Sequence, residues 1–237
     1  IDRYLQSLEI NDEQEDDIVV REKLPFLRWL LGNVALDNNS ILILLANYVR
    51  RMVMVRAGNQ YSGVMSRTNI SFYESLENKE RLKDFEDFLN AMGIDCKLVL
   101  KTLPDGKKEL YFDHNKLVPF FNNASSGTLA LVDLYKKLVP SSWDTSLMFL
   151  DEFDAFYHYE MAENVIKFFK RRYPKSQIIM TTHNTNLMTN RLMRPDCLFI
   201  LSRKGTLTAL CDATLRELRE GHNLEKMYIS GEFDKYE

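Results

Sequence analysis

The sequence predicts an α/β fold, a mainly parallel sheet flanked by helices, on three observations. Past residue 125, short apolar runs alternate with stretches of helical periodicity. The runs, at 146–150, 177–181, 197–201 and 206–210, are rich in apolar residues, as strands covered on both faces are. The 237 residues, 45% hydrophobic and 27% charged, have the makeup and the length to bury a sizeable core.

The part before that alternation reads mainly helical. Residues 11–17 are acidic and polar, a solvated loop or helix end, and 18–31 contain Pro25, where a helix breaks or starts. Asn38, Asn39 and Ser40 supply an N-terminal cap for 41–55. That run is apolar on most faces, which predicts a buried helix, while its β-branched residues leave a strand open for part of it. Residues 58–69 read as loop. Over 80–92, Leu82, Phe85, Phe88, Leu89 and Met92 recur at helical spacing, and Gly93 ends the helix. The texture changes near residue 95, the expected boundary between a helical segment, 1–95, and a second domain, 96–237. Alternating runs at 97–103 and 109–113 flank Pro104-Asp105-Gly106-Lys107. Proline presets one backbone angle and glycine supplies a positive φ, so a β-hairpin is expected. Further helices are expected over 128–138 and 160–172, the second with Val165, Ile166, Phe168 and Phe169 inward.

A net charge of -3 excludes a protein that coats nucleic acid by overall charge, but not a local basic surface. Lys167, Lys170, Arg171, Arg172 and Lys175 form one local basic run, read first as a solvated helix face and second as a phosphate contact. Cys96, Cys197 and Cys211 are odd in number and far apart in sequence, which predicts reduced, buried thiols in a cytoplasmic protein. The longest apolar stretch, 41–46, falls far below the roughly 20 residues of a membrane-spanning helix. Without Cys-x-x-Cys, His-Glu-x-x-His or Gly-x-Ser-x-Gly, zinc and serine-hydrolase chemistry have no basis here. Asp113-His114 reads as a polar hairpin end.

Three segments carry chemistry. In Leu147-Met148-Phe149-Leu150-Asp151-Glu152 an apolar strand ends in two adjacent carboxylates. A strand interior tolerates no charge, so both acids stand at the C-terminal edge, where open α/β sheets bind ligands. Asp151 suits Mg²⁺ and Glu152 suits polarising an attacking water; the competing reading is an acidic loop. In Gln177-Ile178-Ile179-Met180-Thr181-Thr182-His183-Asn184 another apolar strand ends in hydroxyls and a histidine. His183 shares the acids' edge if the two strands are neighbours; the competing reading is a helix cap. In Asn122-Asn123-Ala124-Ser125-Ser126-Gly127-Thr128, small hydroxyls and a glycine precede a helix. That pattern is either an anion site or an ordinary cap.

In this order the three segments resemble the C-terminal lobe of ABC-type ATPases, over roughly residues 95–237. Ala124 to Thr128 sit where that family has its signature loop, Leu147 to Glu152 look like Walker B with its catalytic glutamate, and His183 looks like the switch histidine. The strands are most similar to the SMC-like and OLD-like branch, and within it to bacterial ATPases of phage-defence and abortive-infection systems. The tail, Gly221 to Tyr228 followed by Ser230-Gly231-Glu232-Phe233, also resembles theirs.

The resemblance implies ATP and Mg²⁺ as cofactors and a site shared between two heads. Asp151 would help bind Mg²⁺, Glu152 would act as general base and His183 would sense the γ-phosphate. Ser125, Ser126, Gly127 and Thr128 would contact the nucleotide of the partner head. Head association would make a homodimer or larger homo-oligomer that controls an effector such as a nuclease or toxin. Direct action on DNA, or a non-hydrolysing scaffold, are the alternatives. Two positions depart from the transporter pattern: Ser126 and Thr128 replace its glycine and glutamine, and His158 stands seven residues past Asp151 where an aspartate is usual. His158 therefore belongs either to the head interface or to a helix cap. No Gly-x-x-x-x-Gly-Lys is present, because only Gly106 precedes a lysine and Lys101 stands five before it. The expectation is a P-loop upstream of Ile1, with 1–95 the returning part of a helical insertion.

Overall fold

The computed structural model describes residues 33–34, 37, 40–56, 72–138, 145–219 and 221–236. The segments expected at 11–17, 18–31 and 58–69 lie outside these residues. The chain divides into two compact units, 1–50 and 51–237.

In the first unit, Ser40 caps α1 (Ile41–Arg50), its Oγ accepting the Leu42 N–H at 3.4 Å. The expectation of one long buried helix is not met. Ala46 is its one buried residue, while Ile41, Leu44, Leu45 and Val49 are exposed. The helix stops at Arg50, and the next residues have strand periodicity instead: Val53 and Val55 alternate with outward Met52, Met54 and Arg56.

Those residues form β1 (Met52–Arg56), the first element of the second unit. It is followed by α2 (Phe72–Ser75), α3 (Lys79–Ala91) and three strands, β2 (Leu98–Thr102), β3 (Lys108–Asp113) and β4 (Leu117–Pro119). Then come α4 (Phe120–Asn123), α5 (Ser126–Leu138), β5 (Leu147–Asp151), α6 (Tyr159–Arg172) and β6 (Gln177–Met180). A terminal part holds β7 (Phe199–Leu201), β8 (Leu207–Ala209) and α7 (Leu224–Ile229).

The central sheet is parallel, in the order β1-β5-β6. Parallel pairing fixes all three C-terminal ends at one edge, so Arg56 stands in register with Asp151. Met148 and Leu150 of β5 are buried and join Val53 and Val55 of β1, with Leu131 of α5 and Ala162, Val165 and Phe169 of α6, in one core. Phe85, Phe88 and Leu89 of α3 complete it, on the helical spacing expected for 80–92. Asn78 caps α3 by accepting the Glu80 N–H at 2.8 Å, and Gly93 follows the helix at φ +91°.

The expected hairpin forms, with β2 and β3 antiparallel and Gly106 at φ +82° in its turn. β4 extends it to three strands. The runs at 197–201 and 206–210 correct the expectation: β7 and β8 form a separate antiparallel pair and do not join the parallel sheet. Only five residues connect them, far too few for the crossover a parallel neighbour requires. Ile200 and Leu210 of that hairpin share a second core with Ala213, Leu224 and Phe233.

Candidate functional site

The strand ends converge on the residues singled out by the sequence. β5 and β6 are neighbours, so Asp151, Glu152 and His183 occupy one sheet edge. The carboxylate of Asp151 is held from both sides. Its Oδ1 accepts the Thr181 hydroxyl at 2.7 Å, and its Oδ2 meets the Arg56 Nε at 3.2 Å. The Thr181 Oγ1 in turn accepts the Glu152 N–H at 2.8 Å. One hydroxyl therefore ties both acids to the end of β6. The chain leaves that strand end by a second bond, from the Phe153 N–H to the Thr181 carbonyl at 3.2 Å.

Glu152 has φ +49°, the one non-glycine residue in the left-handed region among the described residues. Such a conformation costs about 1–3 kcal/mol and persists where surrounding bonds impose it. Here the Thr181 hydroxyl and the turn closed by the Ala155 N–H on the Glu152 carbonyl do so. The turn swings the Glu152 carboxylate out of the sheet edge to lie 3.8 Å from His183 Nε2. That separation is too long for a hydrogen bond. With the imidazole 93% exposed, the two groups face solvent together rather than lock each other.

The donor set fits a Mg²⁺ site of the usual kind, in which one or two carboxylates share the ion with phosphates and water. A cation already sits on Asp151 Oδ2, the Arg56 guanidinium, while the other oxygen is fixed by Thr181. Asp151 would hold the ion and Glu152 stands next to it.

The 122–128 segment takes the capping reading in its geometry. Ser125 precedes α5, and its Oγ accepts the Thr128 N–H at 3.1 Å and lies 2.8 Å from the Thr128 hydroxyl. Ser126 is exposed, whereas Thr128 is buried. Gly127 is buried where a Cβ would stand 3.1 Å from the Phe156 carbonyl oxygen. The start of α5 thus packs on the loop that follows the two acids. Ser126, Asp151, Arg56 and Tyr157 line one cavity of about 280 Å³, with Asp133, Phe153 and Phe156. Burial, helped by the Asp133 charge, pushes the Tyr157 phenol above its ordinary value.

His158 caps α6: its Nδ1 accepts the Met161 N–H at 3.4 Å, and the residue is exposed. The segment beyond His183 is fastened to α6. Arg191 grips the buried carboxylate of Glu163 with two bonds of 2.6 Å, one to each oxygen, and Lys167 also bonds its Oε1. Arg191 and then Lys167 hold that carboxyl at about 2, below its ordinary 4.5. Lys170 bonds the Leu192 carbonyl, and Arg172 pairs with Asp84 at 3.0 Å. Much of the basic run is therefore spent inside the fold. The buried-thiol expectation holds for Cys96 alone; Cys197 and Cys211 are exposed, because they flank a hairpin whose strands place one face in water.

Sequence reasoning missed Arg56 and the bridging role of Thr181. Arg56 lies one residue past the run 41–55, whose Met-Val-Met-Val alternation ahead of the arginine carries the strand signal. Thr181 was visible as a polar strand end, but its partners depend on the β5–β6 register.

Among the described residues no group of three or more His, Cys, Asp or Glu is placed to hold a metal, and no helix is long and apolar enough to cross a membrane. No curated protein matches this chain. One similar solved structure is the Smc head domain with an extended coiled coil bound to the C-terminal domain of ScpA, derived from Pyrococcus furiosus. Its identity is 18% and its TM-score 0.30, and the match covers 46% of this chain and 32% of that one. The chain thus spans about a third of that protein's length. A family model described as "AAA domain, putative AbiEii toxin, Type IV TA system" matches residues 14–189. With that match extending over most of its length, the chain belongs to this AAA-domain family.

Proposed function

We propose that this chain is the signature, Walker B and switch-histidine part of an ABC-type ATPase in a bacterial anti-phage defence complex. The observation that carries the proposal is the Asp151–Thr181–Glu152 arrangement at the edge of a parallel sheet, with His183 beside it. Mg²⁺ bound with ATP neutralises charge on the phosphates. Asp151 contributes the protein carboxylate for that ion. Glu152 orients the attacking water and accepts its proton. His183, exposed and 3.8 Å from Glu152, is free to reach a γ-phosphate. The reading requires a P-loop from outside these 237 residues.

Ser125, Ser126, Gly127 and Thr128 serve the partner head's nucleotide through the exposed Ser126 and the N-terminus of α5. His158, two residues past the Phe156 carbonyl that abuts Gly127, joins the same head interface in this reading. Nucleotide then draws two heads together, and hydrolysis releases them. In the complex, that cycle controls an effector such as a nuclease or toxin in the cytoplasm. The name of the matched family, which refers to a toxin of a type IV system, agrees with such a setting. Direct action on DNA has less support, since Lys167, Lys170 and Arg172 are engaged within the fold.

The test is nucleotide-dependent association of the complete protein carrying Glu152→Gln, followed by light scattering. ATP should raise the mass to that of paired heads, and Ser126→Arg should prevent the rise. A mass unchanged by ATP in Glu152→Gln, or a rise that survives Ser126→Arg, contradicts the shared site.

A further inference from the structure

Two arginine–carboxylate pairs of the second unit are built differently. Arg191 holds Glu163 with two hydrogen bonds of 2.6 Å, and that carboxylate is 8% exposed. Arg56 meets Asp151 Oδ2 through Nε at 3.2 Å, and its side chain is 53% exposed against 26% for Asp151. The first pair has the fork geometry and the buried acid of a fixed link. The second has the geometry of a contact that solvent can replace. The backbone beneath Arg56 does not share that freedom. Val53 and Val55 are buried, and Arg56 is in parallel register with Asp151, so β1 keeps the side chain within reach of the acid.

The position calls for a cation. Asp151 and Glu152 are successive carboxylates, and Thr181, which engages Asp151 Oδ1 and the Glu152 N–H, brings no charge. With Oδ1 taken, a metal ion and the Arg56 guanidinium compete for Oδ2, and their charges repel at that range. Space for the released guanidinium lies alongside, in the cavity of about 280 Å³ that Arg56 and Asp151 line with Asp133.

Resting on the reading of Asp151 as the Mg²⁺ carboxylate, we propose that Arg56 is its built-in counter-ion. It is a positioning residue that holds Oδ2 in the metal-free state and gives it up when Mg²⁺ enters with nucleotide. Arg56 thereby offsets the charge of the neighbouring acids and lowers the affinity for the ion. Metal-free nucleotide brings only negative charge and leaves Arg56 in place. An exposed pair of this kind contributes a factor of about 2–5, which sets the size of the effect.

The test measures the Kd of a non-hydrolysable ATP analogue for the complete protein, in Mg²⁺ and in EDTA. The ratio of the two values is the metal preference, which a general loss of affinity does not change. Arg56→Gln should raise the preference for Mg²⁺ about 2–5-fold, and Arg56→Lys, which keeps the charge, should stay within about 1.5-fold of wild type. Asp151→Asn should abolish the preference and make Arg56→Gln silent in the double variant. A preference unchanged or lowered by Arg56→Gln, with Asp151→Asn still abolishing it, overturns the counter-ion role and leaves the metal reading of Asp151 standing. A preference that survives Asp151→Asn overturns both.

Discussion

Thr181 is the residue on which the two acids depend. Its hydroxyl donates to Asp151 Oδ1 and accepts the Glu152 N–H, so it both aims one carboxylate and sustains the left-handed backbone of the other. Thr181→Val keeps the shape and strands both partners. We expect a loss of about 1–3 kcal/mol, the cost of partly buried polar groups without partners, read from urea denaturation. A loss below about 0.3 kcal/mol would mean that water replaces the hydroxyl without cost. Gly127 is the second such residue. Gly127→Ala puts a Cβ 3.1 Å from the Phe156 carbonyl oxygen, and a backbone atom gives way poorly. The expected cost is about 1–3 kcal/mol in a thermal or urea melt. At this scale the strand-end positions of Asp151, Glu152 and His183 are legible in the sequence, because charge and a histidine each follow an apolar run. The sequence did not disclose how they are held. Arg56 and Thr181 reach Asp151 only through pairings whose register is set 95 and 30 residues away in the chain.

Among the elements, α6 is the anchor for the segment that bears His183. Arg191 and Lys167 both bond Glu163, which is buried, and Lys170 holds the Leu192 carbonyl. The Glu163 carboxyl titrates at about 2 in the folded chain against an ordinary 4.5. A carboxylate held down in this way adds stability above its unfolded value and loses it as pH falls toward its folded one. The contribution is therefore complete above about pH 4.5 and fades between there and about 2. Glu163→Gln should cost about 1–3 kcal/mol at pH 7, discounted for the exposed Arg191, and progressively less as denaturation is repeated down to pH 3. A cost that does not change with pH would place the effect in packing. Elements with one strong period, such as α3 and α6, were legible because a buried stripe repeats at helical spacing. The run at 41–55 was not, because it joins a helix to a strand without a break residue. The 197–210 runs had the right periodicity and the wrong partner: only the five-residue connection decides between hairpin and crossover.

At the scale of the whole molecule, a three-stranded parallel sheet sets Asp151, Glu152 and His183 at one edge and the helices around it build one core. The second core, under the β7–β8 hairpin, gathers the tail through Leu224 and Phe233. The α/β class was legible from the alternation of short apolar runs and amphipathic helices. The strand at 52–56 is legible only as the second reading of 41–55, because the partner that settles it follows more than 90 residues later. The central claim is that Glu152 is the general base of a nucleotide site. The direct measurement is steady-state ATP turnover by the complete protein, with and without Glu152→Gln. The account predicts a drop of about 10²–10⁴-fold with the fold intact by circular dichroism. Turnover at the wild-type rate in Glu152→Gln would contradict it.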